Sequence, residues 1–509
     1  MVQMSRRDFV KVTGTGLALA TLPGFIRTGF AGVGAGDNPY NFYFQRFGID
    51  EDMIRKVMAE ALHYGGDYCD LFFQNELSNS IRLQDNIVNS ASTNVTLGVG
   101  IRVLNGNQTG YSFTEDITLS SMKAAARTAA GIASGSAKAA PQSFNATKLM
   151  NYYDTKVSYE DVGVKDKVGM LQAINDDVFK EDPRVVKASV NFSDSEKYIL
   201  VVNSEGGIAS DYQPMLRISV GCTAEEDGRR ENNYFDYSAR DDINFLTEAK
   251  LKRLPREAVA RTVKLFAAQT PPAGEFPVVL SAGSAGILLH EAIGHGMEAD
   301  FNRQGISVYS EKMNKKIAAP FVTIVDNGTN PNIRGSINVD DEGVPSEETV
   351  LVEDGVLRTY IHDRISAKHY GVKPTGSGRR ESFKHYPMPR MRNTYMRSGP
   401  HEFDEMIASV DYGILADQFT NGQVNIGPGD FTFYVKSGSL IENGKITAPI
   451  KDVNIIGNGP DVLEKVTMVA NDMKMAEGGW TCGKNGQGVP VSQGMPSVLV
   501  SSITVGGRG

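Results

Sequence analysis

The chain has 509 residues, 41% of them hydrophobic and 22% charged, the balance of a globular protein of two or three domains rather than a disordered one. Its 52 basic and 60 acidic side chains leave a net charge of −8, which argues against a protein that holds nucleic acid by bulk electrostatics. Three cysteines, at positions 69, 222 and 482, rule out a disulfide scaffold.

The chain opens Ser5-Arg6-Arg7-Asp8-Phe9-Val10-Lys11, followed by a modest apolar run from Val12 to Ile26. Paired arginines, a Phe two residues later and a weakly apolar region resemble a twin-arginine export signal. Gly29 and Ala31 suit a cut after Ala31, so residues 1–31 are expected to be a signal peptide and the mature protein to be exported, in the periplasm. Without a working signal it would stay in the cytoplasm. No later stretch has the roughly 18 uninterrupted apolar residues of a spanning helix, so no stable membrane anchor is expected.

Asp50 precedes Met53, Ile54, Val57, Met58, Ala61 and Leu62 at helical spacing, and Gly65 ends the run. Tyr68 to Phe73 reads as a strand. Asn94 to Phe113 reads as a hairpin around Asn105-Gly106. An Ala-rich helix from Leu119 to Ala133 leads into a small, polar linker ending near Thr147. A second unit holds a helix over Val164–Lys180 and strands at Val185–Phe192 and Tyr198–Val202, with a turn at Asn203–Gly207. A helix over Asp241–Ala268 then runs to Pro271-Pro272. Beyond 275 short strands broken by Gly, Asn and Pro dominate, interrupted by one helix over Ser284–Met297. The predicted class is α+β: an α/β N-terminal half over 45–270, in two small units of about 45–135 and 150–270, then a β-rich C-terminal domain over 275–509 that carries the helix.

That helix contains His290-Glu291-Ala292-Ile293-Gly294-His295-Gly296. Neutral imidazoles bind zinc well, and a Glu beside the first His can act as general base on a zinc-bound water. The familiar motif places its histidines at i and i+4, on one helical face. Here they stand at i and i+5, about 140° apart on a regular helix. To share an ion the helix must bulge or break between them, and Gly294 and Gly296 make that easy. A third ligand has to come from elsewhere. Glu298, Asp300 and Cys482, the last in a Gly-rich loop from Gly478 to Gly486 that would let it reach in, are all chemically suitable, and chemistry alone does not choose among them. Cys69 and Cys222 read as small buried hydrophobes.

The run His290 to Gly305 resembles the signature of the TldD/PmbA family of zinc metalloproteases. Further stretches resemble that family in the same order: Asp340-Asp341-Glu342-Gly343, Pro374 to Ser382, Pro387 to Met391, Asn393 to Met396, Ile441 to Lys445 and Cys482 to Gln487. The resemblance implies the zinc-bearing type of subunit, with one zinc per chain held by His290, His295 and Cys482, and Glu291 as catalytic base. It also implies pairing with a zinc-lacking paralogue, or a dimer of the chain with itself, and unfolded or extended peptides as substrates. Arg379, Arg380 and His385 read as surface or structural ion pairs as readily as catalytic groups, and Asp340-Asp341-Glu342 as a turn before Gly343. Two other functions share the site: a non-catalytic peptide-binding scaffold with structural zinc, and a zinc amidase on cell-wall peptides.

Overall fold

The computed structural model describes residues 41–131 and 141–507. The expected signal peptide and most of the expected linker lie outside them. No helix among the described residues is long and apolar enough to cross a membrane.

One seven-stranded sheet organises the N-terminal half. Its central strands are long: Tyr68–Gln84, Ile87–Asn105, Val185–Asn203 and Gly207–Glu226. They pair antiparallel, with Gln108–Thr114 at one edge and Asn145–Ala146 and Arg229–Ala239 along the other. The two strands expected between 185 and 202 are therefore one, and the two expected units are two helix-covered halves of a single sheet. Alternation explains how. Cys69, Leu71, Phe73 and Leu77 point to the face covered by helices Asn41–Phe47, Glu51–Ala61 and Leu119–Ala130. Further along the same strand and face, Ile81 and Leu83 meet helices Val164–Glu181 and Glu248–Lys264. Cys69 and Cys222 are both buried in these cores.

Turn chemistry sets the register. Asp85-Asn86, Asp227-Gly228, Asn443-Gly444 and Asn485-Gly486 each place two consecutive residues at positive φ between paired strands, the backbone that two-residue hairpins favour. The expected Asn105-Gly106 hairpin forms, but Asn105 pairs with Gln108. The turn is Gly106-Asn107, with Gly106 at φ 60°.

The opposite face of the sheet packs on the C-terminal half. Phe72, Ile199 and Val201 meet Val339 and Phe383 there. A fully buried Arg102 bridges the halves, with Nη2 2.5 Å from Asp70 and Nη1 2.7 Å from Glu342.

The C-terminal half holds two larger sheets. In one, strands pair in the order Lys445–Asn458, Asp430–Glu442, Tyr412–Asn425, Gly274–Leu280 and Val498–Gly507, and the last pairs back onto the first. This ring is a closed five-stranded barrel. The other sheet contains Ile324–Asn327, Asn393–Met396 and Gln487–Met495. Between them lies the largest core of the molecule, and the segment from Ala285 to Met297 runs through it.

Candidate metal centre

The expected helix is broken where the His spacing requires. Gly286–Leu289 is α-helical, His290–Gly294 forms a π-turn, and His295–Met297 a 3₁₀ turn. The His295 N–H donates to the His290 carbonyl, an i→i+5 bond that brings residues five apart onto one face. The two imidazole rings stand 5.1 Å apart, nearly perpendicular. Gly294 permits this because a Cβ there would lie 2.0 Å from Met391 Sδ. The carbonyls freed at the broken end are recovered: Asn302 Nδ2 donates to those of Gly296 and Glu298, and Ser307 Oγ to that of Gly296.

Cys482 arrives on a strand, not a loop. Trp480–Lys484 and Gln487–Met495 form a hairpin about Asn485-Gly486. This places Cys482 Sγ 3.4 Å from His295 Nε2. Ligand atoms of His290, His295 and Cys482 lie within 4.8 Å of one another, and all three residues are at most 5% exposed. Glu298 and Asp300 lie outside this trio. They stand behind it: Glu298 Oε2 is 2.9 Å from His295 Nδ1 and 3.0 Å from Lys484 Nζ, which also contacts Asp300 at 2.7 Å. A Glu on Nδ1 keeps a proton on that nitrogen and turns Nε2 toward Cys482. Lys484 joins the Cys482 hairpin to the His segment. Its place, two residues after Cys482 on the same strand face, is the one sequence signal that points to it. Arg390 Nη2 holds the Cys482 carbonyl at 2.5 Å.

Charges within the trio support one another. Burial pushes the Cys482 thiol up, but His290 and His295 outweigh it and hold the group well below its usual range. Burial alone would lower His295, yet Glu298 and Cys482 carry it well above an ordinary imidazole. Burial raises Glu298, but Lys484 and His295 bring it down to about 2. Glu291 Oε2 lies 3.8 Å from His295 Nε2, and about a fifth of its side chain is exposed. It therefore reaches both the cluster and solvent.

Two imidazoles, one thiolate and a buried His290 Nδ1 with no hydrogen-bond partner fit a borderline-soft divalent ion such as zinc. Three protein donors match the catalytic pattern, which leaves one coordination position open. A cleft of about 780 Å³ opens near both segments that carry the cluster, although none of the trio lines it. Its walls include Gly283 and Ser284, at the entry to the His segment, and Trp480. Trp480 and Cys482 share a strand face.

The other motif residues are structural. Asp340 accepts from the N–H groups of Glu342, Val344 and Gly378, closing a turn. Arg379 donates to the carbonyls of Met391 and Pro490, Arg380 to that of Asp341, and His385 Nδ1 contacts Ser382 Oγ.

Models of the PmbA/TldA metallopeptidase match the chain in three parts: domain 1 at residues 69–133, the central domain at 158–266 and the C-terminal domain at 273–507. A metalloprotease TldD homolog from Buchnera aphidicola subsp. Schizaphis graminum is 39% identical over 90% of this chain and 96% of its own. The chain belongs to the PmbA/TldA metallopeptidase family. A relative from Saccharolobus solfataricus, 27% identical over 89% of this chain and 99% of its own, is named a zinc metalloprotease TldD homolog. The fold matches a Thermotoga maritima MSB8 protein named for a suspected role in modulating DNA gyrase, at TM-score 0.73 and 24% identity, covering 90% of this chain and all of that one. It also matches TldE from Thermococcus kodakarensis, at TM-score 0.71 and 17% identity, covering 89% and 100%.

Proposed function

We propose that this chain is a zinc-dependent peptidase that hydrolyses unfolded or extended peptides, with one zinc per chain held by His290, His295 and Cys482. The observation that carries this reading is the π-turn. It spends helical hydrogen-bond geometry to bring His295 onto the face of His290, where Cys482 meets both. A zinc ion held there would supply polarisation of the scissile carbonyl and activation of a water. Glu291 is the group placed to accept a proton at this site and to return one to the leaving nitrogen, and its partial exposure lets it exchange protons with solvent. Glu298 and Lys484 hold His295 in register. The approach we propose for substrate is the cleft walled by Ser284 and Trp480, which lie on the segments leading to His290 and Cys482.

The active form we propose is a dimer, with a paralogue that lacks the motif or with a second copy. The fold shared with a protein named TldE supports such pairing. Export by the twin-arginine route remains our reading of residues 1–31. A route that carries folded proteins suits one that acquires its metal inside the cell.

The test is metal content and peptide cleavage in one preparation, wild type beside Glu291→Gln and Cys482→Ala. Cleavage lost in both, with zinc lost mainly in Cys482→Ala, supports the reading. Zinc and cleavage both intact in Cys482→Ala refute the ligand set. Zinc retained with unchanged cleavage in Glu291→Gln refutes the base. Hydrolysis of cell-wall peptides in place of unfolded peptides in a substrate panel would favour an amidase.

A further inference from the structure

The N-terminal sheet has an unfinished edge. The strand Ile87–Asn105 pairs along nearly its whole length with Tyr68–Gln84, but on its other side Gln108–Thr114 reaches only Val99 to Asn105. From Ile87 to Gly98 that side pairs with nothing among the described residues. Every residue from Asn89 to Val95 is exposed, so both faces of the strand are bare as well as its edge. Val95 keeps 59% of its surface in solvent.

An open edge invites pairing with another chain, and proteins guard theirs with charge, proline, bulges or cover. The far edge of this sheet is guarded. Arg229–Ala239 begins with Arg229-Arg230-Glu231, and its end is covered where Ala239 bridges Ile333 and the Ser238 N–H donates to the Glu477 carbonyl. Between Ile87 and Ile101, by contrast, there is no charged residue and no proline, and the Val, Thr and Ile there favour extended backbone. One bulge interrupts the stretch near its start: Arg82 pairs with Ser90 and Leu83 with Val88, which leaves Asn89 between them. From Ser90 onward the edge is regular.

We propose that this edge is the seam of a dimer of the chain with itself, two copies of the strand pairing antiparallel about a two-fold axis at Ser92. The proposal rests on the dimer read above, and names its partner and its contact. The ends of the gap set the axis. The hairpin turn Asp85-Asn86 closes one end, and Thr114, opposite Val99, closes the other. A strand that fills this space runs opposite Ile87 to Leu97, and a second copy of the same strand fits it with Ser92 on the axis, the self-complementary contact of a two-fold dimer. Ser90 then faces the partner's Asn94, and Ala91 the partner's Thr93. These are small uncharged pairs, with none of the like-charge repulsion that keeps copies apart. Main-chain hydrogen bonds supply the hold, and the two seven-stranded sheets become one. A peptide or a different chain needs no two-fold match, so the symmetric fit of strand to gap favours a second copy.

The experiment measures the mass of the full chain in solution by sedimentation at micromolar concentration. The wild type should be dimeric. Ser92→Lys and Ser92→Asp each set like charges face to face at the axis, and each should weaken association roughly tenfold or more, with far-UV circular dichroism unchanged because Ser92 is exposed. Mixing the two variants should restore the dimer through a Lys–Asp pair. Ser92→Cys should form a covalent dimer on mild oxidation, since Cys69, Cys222 and Cys482 are buried. Ser120→Cys, exposed on helix Leu119–Ala130, should not. A dimer untouched by both charge variants, or no cross-link through Ser92→Cys, would overturn the proposal. A monomeric wild type would overturn it too, and pairing with an added zinc-lacking paralogue would then leave the dimer reading standing. Peptide cleavage by the same samples reports on the metal site separately.

Discussion

Replacing Glu298 by Gln isolates the buried charge behind His295. Glu298 is fully buried, and its Oε2 faces two donors, His295 Nδ1 at 2.9 Å and Lys484 Nζ at 3.0 Å. A Gln oxygen in the same place still accepts from both but without charge, and charge-assisted bonds are roughly twice as strong as neutral ones. Changes behind a metal-bound His typically weaken metal binding about 10–100-fold, or about 1.4–2.7 kcal/mol. Two features place this case at the lower end: the retained oxygen, and Asp300, which keeps Lys484 at 2.7 Å. The expected loss is about tenfold in zinc affinity, with the fold intact. Competition against a chelator of known affinity would measure it, with Asp300→Asn alongside and expected to lose less. A Glu298→Gln dissociation constant within twofold of the wild type would refute the argument that this carboxylate sets the ligand.

Gly294→Ala puts a Cβ 2.0 Å from Met391 Sδ in a closed core and should destabilise by about 1–3 kcal/mol. Denaturant titration should show the Gly294→Ala/Met391→Ala pair less destabilised than the sum of the single variants. Arg102→Met strands the buried Glu342 and leaves Asp70 only Arg380, at 3.5 Å, and should lose about 3–5 kcal/mol, read by the same titration. Burial lowers His362 to about 4. Between about pH 6.5 and 4 the unfolded chain therefore takes up a proton that the folded chain refuses, and stability falls as pH falls through that window, by up to about 3 kcal/mol. The difference between wild type and His362→Leu should slope only there, and a flat difference would show that His362 is not buried as described.

Much of this was legible because local chemistry and tertiary structure agree. Asp50 caps its helix by accepting from the Met53 N–H, as the sequence spacing predicts. The i, i+5 histidines demanded a bulge, and the π-turn is that bulge. Other features depended on distant partners. The strand Val185–Asn203 passes without a break through a polar middle, Ser193 to Lys197, because Glu76 to Ser80 on the adjacent strand supply hydrogen bonds on one side. Cys482 read as a loop residue because Gly479, Gly483 and Gly486 suggest irregular backbone, yet pairing with Gln487–Met495 makes a hairpin of it. Glu298 and Asp300 have the right chemistry for ligands. Only the position of Lys484, 184 residues away from Asp300 in sequence, shows that they serve the second layer. Barrel closure, too, pairs Val453 to Ile456 with Thr504 to Gly507, which no local pattern announces.

That closure orders events during synthesis. The stave Gly274–Leu280 is made early, but its neighbour Val498–Gly507 emerges more than two hundred residues later. The N-terminal sheet, by contrast, is complete by Ala239 and can fold while the rest is still being translated. His290 and His295 must therefore wait, beside an unclosed sheet, for Cys482 and then for the closing strand. The trio cannot assemble until a strand 187 residues beyond His295 has been made, and a nascent chain that stops short of Cys482 would hold two of the three groups.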